Sequence, residues 1–212
     1  MPSLKTPTLV EKLAGNLGTE TSLTLIGVLS GSPVAALLPV LSNTFANERN
    51  KKRVENAFVS IDAVLRRHEV ALQTLTDSQY KLINETVLAV LHTTSDDKLT
   101  YLRRVIGNAI TLNNIAPDEA VILSRIVRDI SVGEAEFVIK NFGYSHVRLA
   151  TKLNNNDPNF LEVLIDSPEG KLVPGLVSLG ILANAGGTYA DIEAMRFMPI
   201  TAKLIALLKE EH

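Results

Sequence analysis

The sequence has no cysteine and no tryptophan, and aromatic residues make up only 5% of its 212 positions. Without cysteine there is no disulfide, no thiolate zinc site and no cysteine nucleophile. With so few aromatics, the 46% hydrophobic content rests mainly on Leu, Ile, Val and Ala, which favours packed helices over a β-sandwich. Neither charge sign is in excess: 21 Lys and Arg stand against 23 Asp and Glu, for a net charge of -2. Phosphate affinity grows with the number of Lys and Arg side chains, so nucleic acid is a disfavoured partner. The stretch Met1–Gly15 lacks the basic-then-apolar order of a secretory signal. We therefore expect a cytoplasmic protein of bacterial or archaeal type, in which the sequon Asn84-Glu85-Thr86 has no meaning.

Motifs for chemistry are also lacking. The histidines are His68, His92, His146 and His212, and none pairs with another His or a carboxylate at metal-ligand spacing. The acidic pairs Asp96-Asp97 and Asp118-Glu119 fall where helices begin, and the helix dipole accounts for them without acid–base chemistry. Gly175 and Gly180 are not followed by the Lys-Ser/Thr of a phosphate loop. "GVLSGS" lacks dinucleotide-loop spacing, and there is no G-x-S-x-G elbow. The expectation is a non-enzymatic chain with no cofactor and no metal.

What the sequence does have is a run without one charged side chain, Thr21 to Asn47, followed directly by "ERNKKR". About 20 apolar residues in one helix would cross a bilayer. Gly31-Ser32-Pro33 reads as a stop, a cap and a new start, and Pro39 would kink the second half. Two short apolar helices make a poor single span and a good hairpin. The segment is thus expected to be core or an oligomer contact, through Val34, Leu37, Leu38 and Leu41. Membrane contact is the lesser alternative. The basic patch Arg49, Lys51, Lys52 and Arg53 reads as a solvated helix face, with an anionic surface as its functional alternative.

A long helix is predicted from about Asn47 to Leu75. Its apolar side would be Val54, Phe58, Ile61, Leu65, His68, Leu72 and Leu75, with steps alternating four and three as in a heptad seam. Phe58, Leu65 and His68 are candidate interaction residues, with His68 as a half-buried spacer that sets register. Three further stripes follow: Tyr80, Ile83, Val87 and Val90; Leu99, Leu102, Ile106 and Ile110; Ala120, Leu123, Val127 and Ile130. Their short links imply antiparallel neighbours. Thr76 with Gln79 and Ser131 with Glu134 have capping-box spacing. Ser95 precedes two carboxylates, and Asp157-Pro158 and Ser167-Pro168 read as further helix starts. A short helix from Gly133 to about Asn141 closes the series.

After Phe142 the pattern changes. A short alternating run and an Asn-rich loop lead to a helix over Glu169 to Leu182, interrupted by Pro174-Gly175. A strand, a Gly-rich turn, a second strand and a closing helix follow. Helix, hairpin, helix is the order of a small winged-helix module. Its candidate recognition helix carries only Glu169 and Lys171, and acidic residues outnumber basic ones beyond Gly143, so a protein contact fits better than DNA.

The fold expected is mainly α: an N-terminal apolar helical segment over 1–46, an antiparallel helical bundle over 47–142 and a winged-helix-like α+β module over 143–212. "TSDDKLTYLRRVIGNAI", "PDEAVILSRIVRDIS" and "LVSLGIL…MRFMPITAKLIALL", behind an apolar segment and a basic-started helix, resemble bacterial helical proteins of the abortive-infection-alpha-like type. That resemblance implies a stress or phage-defence role and carries over no catalytic residue. The function expected is a helical interaction or regulatory protein that forms a homo-oligomer or binds a protein partner. A membrane-active effector and a DNA-binding regulator are the alternatives.

Overall fold

The computed structural model describes residues 48–153, 157–185 and 194–210. The apolar run Thr21–Asn47, with Val34, Leu37, Leu38 and Leu41, lies outside them, as does the Gly-rich turn expected around Gly186-Gly187. The fold is mainly helical, with eight helices and one four-stranded mixed sheet among the described residues. It divides into two compact units, and the division falls between Asn113 and Asn114 rather than after Phe142.

The N-terminal unit holds α1 (Glu48–Arg67), α2 (Glu69–Leu72), α3 (Asp77–His92) and α4 (Asp96–Thr111). The single long helix expected over 47–75 is broken at His68. There the backbone leaves the α region (φ -111°, ψ 24°), and its N–H donates to Leu65 O, three residues back instead of four. The break follows two arginines in the last turn of α1, where cations suit the negative end of the helix dipole. The regular four-three phase of the seam therefore ends at His68. Upstream of it Ala57, Ile61 and Leu65 are buried, while Leu72 and Leu75 are only half-buried.

Helix α3 begins where the sequence places it. Thr76 Oγ1 accepts from Gln79 N, and Gln79 Oε1 accepts from Thr76 N, a complete capping box. The Gln79 amide then donates across to Ile110 O and Leu112 O. The start of α3 is thereby tied to the end of α4, so the two helices run antiparallel. Ile83, Val87 and Val90 from one stripe and Leu99, Leu102, Ile106 and Ile110 from the other are buried, while Tyr80 is half-buried.

The C-terminal unit holds α5 (Pro117–Asp129), α6 (Val132–Asn141), β1 (His146–Ala150) and β2 (Phe160–Leu164). Then come a 3-10 turn (Gly170–Leu172), α7 (Val173–Ser178), β3 (Leu182–Asn184), β4 (Ala194–Phe197) and α8 (Ile200–Leu208). The strand order is β2-β1-β4-β3; β1 and β2 are parallel, and the other two pairs are antiparallel. Helices α5 and α6 pack against α8, and α6 also packs against α7. That explains why the boundary precedes them: the stripe Ala120, Leu123, Val127 and Ile130 is buried in this unit's core.

Two expected helix starts differ. Asp157-Pro158 opens a turn, in which Asp157 Oδ1 accepts from Asn159 N and leads the chain into β2. Ser167 Oγ accepts from Gly170 N, but Gly170 opens a 3-10 turn and not an α-helix, and the residue at its N-cap is Glu169. Pro174 starts α7 instead of interrupting a longer helix, because its missing N–H falls in the first turn. The helix ends at Ser178, and Leu182 belongs to β3.

Candidate functional site

Side chains directly opposite in a sheet share a face. By that rule Val147 and Leu149 of β1, Leu161 and Val163 of β2, Met195 and Phe197 of β4, and Leu182 and Asn184 of β3 line one face. Val147, Val163, Leu182 and Met195 are buried there. Leu149, Met195 and Asn184 form one wall of an open groove. Val173, Pro174 and Val177, on one side of α7, form the other. The groove measures about 370 Å³, within the range of small ligand pockets or anchor-residue slots. Asn184 is its one polar lining residue. Val177 is 43% exposed at its lip, whereas Val173 is buried at its base.

Glycines set the position of α7. A Cβ on Gly170 would lie 2.2 Å from Leu164 O, so the 3-10 turn sits directly on the end of β2. A Cβ on Gly175 would lie 1.9 Å from Glu134 Oε1, so the helix lies flush against the start of α6. That carboxylate is not loose: Glu134 Oε2 accepts from Ser131 N and Oγ, while Ser131 Oγ accepts from Glu134 N. At the other end, Gly180 has φ +72°. Its N–H donates to Val177 O and the N–H of Ile181 to Leu176 O, the paired bonds of a Schellman cap. Ile181 and Leu176 are both buried, which completes the cap's hydrophobic contact. Thr201 Oγ1 donates to Ile181 O and ties the following strand to α8.

The opposite face of the sheet carries a polar and aromatic cluster. His146 stacks on Phe160 with ring centroids 4.7 Å apart, Arg148 lies over the same ring at 5.1 Å, and Arg148 pairs with Glu162 at 3.9 Å. At the start of α5, Lys203 of α8 bonds both Glu119 and Asn114 O. Glu119 also accepts from Ala116 N, which has no side-chain oxygen with which to return the bond. The Lys203 ammonium first, and the Ala116 N–H second, hold the Glu119 carboxyl below its ordinary range. Burial pushes the Tyr80 phenol up. Among the described residues no group of three His, Cys, Asp or Glu side chains could hold a metal ion, and no helix is long and apolar enough to cross a membrane.

Of the candidate interaction residues and basic patch singled out from the sequence, Leu65 and His68 have side chains among the described residues. Leu65 is fully buried and offers a partner no surface. His68 is half-buried at the α1–α2 break. Arg49, Lys51, Lys52, Arg53 and Phe58 lie on α1, but their side chains fall outside the described residues. Sequence reasoning missed the groove. Its one visible signal was "VPGLVSLG", a Pro start, a Gly cap and an exposed Val between them. No protein-family model, curated protein or solved structure matches the chain.

Proposed function

We propose that the protein is a non-enzymatic helical interaction and regulatory protein that self-associates, with the α7 groove as its contact. The observation that carries this reading is the groove itself: five apolar side chains and one amide, open to solvent, on an element anchored at both ends. Protein contacts centre on apolar slots that a partner side chain fills, and a fixed slot loses little freedom on binding. We read the N-terminal unit as an antiparallel bundle and residues 143–212 as winged-helix-like. The order α7, β3, β4, α8 supports the second assignment, and the parallel β1–β2 pair is an addition to that pattern. A stress or phage-defence role comes only from the sequence resemblance. Light scattering across a dilution series tests self-association. The expected mass is above that of one chain and falls on dilution, and a mass of one chain at every concentration rejects the reading.

The helix–hairpin–helix order also favours DNA binding as a second reading. Against it, α7 has no basic side chain to place in a groove. Duplex DNA at low salt should give no mobility shift, since nonspecific binding is strongest there. A salt-sensitive shift would move the assignment to DNA.

A further inference from the structure

We draw no further inference here: the strongest candidate, the His146–Phe160 stack with Arg148 and Glu162 on the sheet face opposite the groove, is a cluster whose side chains engage one another with no observation that points to a ligand, and the groove beside α7 belongs to the site already described.

Discussion

Replacing Gln79 by Met should destabilise the N-terminal unit far more than an ordinary polar-to-apolar change at a helix start. Gln79 is 6% exposed, and its amide makes four hydrogen bonds. Its oxygen accepts from Thr76 N at 2.9 Å and Thr76 Oγ1 at 3.1 Å, and its nitrogen donates to Ile110 O at 3.0 Å and Leu112 O at 3.2 Å. Methionine keeps the length and removes all four. Loss of the returning half of the capping box costs about 1 kcal/mol. The buried Ile110 carbonyl, left without its donor, adds about 1–3 kcal/mol. Extra apolar burial by the thioether offsets part of this, so we expect a net loss of roughly 2–3 kcal/mol. Urea unfolding followed by circular dichroism measures it, with hydrogen exchange of the α3 and α4 amides assigning the loss to this unit. Gln79→Glu sharpens the test. It points a carboxylate at two carbonyl oxygens, so the introduced group's pKa rises in the folded state. The penalty should be largest at neutral pH and shrink as the pH falls through that raised pKa. A Gln79→Met loss within about 0.5 kcal/mol, the range of an ordinary surface change, would refute the clamp.

Gly180→Ala should destabilise by about 1 kcal/mol, since a Cβ is strained at φ +72°; unfolding no easier than wild type would contradict the Schellman cap. Gly170→Ala meets backbone, not a movable side chain, so a loss of about 3 kcal/mol or more is expected by thermal unfolding. Gly175→Ala pushes on the Glu134 carboxylate and should cost about 1 kcal/mol through the α6 cap. Its effect should largely vanish in a Glu134→Ala background. For Glu119 the sign follows from its lowered pKa: the stabilisation is present above the ordinary carboxylate range and is lost as pH falls through the folded-state value. Wild type should therefore exceed Glu119→Gln in stability at neutral pH, with the gap closing under acid; a gap that widens on acidification counts against the Lys203 contact.

Local signals were the most legible part of the chain. The boxes at Thr76 and Ser131 and the cap at Ser95 form as their spacing indicates, because each rests on atoms within one turn. Strand β4 and the closing helix also stand where a second strand and a final helix were expected, whereas β3 begins at Leu182, which the expected helix had included. The break at His68 was not legible, because an unbroken four-three repeat fits a straight helix and a kinked one equally well. Strand β2 was missed because "NFLEVLI" follows Asp-Pro, a pair that suits a turn as well as a helix start; its parallel partner β1 decides the outcome. The division between Asn113 and Asn114 was not legible because α5 and α6 read like the helices before them. What separates them is their long-range packing on α8, which lies far along the chain. Beyond the local signal of "VPGLVSLG" the groove was not legible, for the same reason: its walls come from β1, α7, β3 and β4, and only the fold brings them together.

The most direct test of the central claim is the solution mass of Val177→Asp beside wild type. Val177 stands at the lip of the groove, exposed enough that a carboxylate there stays hydrated and the fold is kept, as an unchanged circular dichroism spectrum would verify. Light scattering at matched concentrations should then give an oligomer for wild type and a single chain for the variant. Equal oligomeric masses for both would place self-association elsewhere on the protein, and equal masses of one chain would remove it altogether.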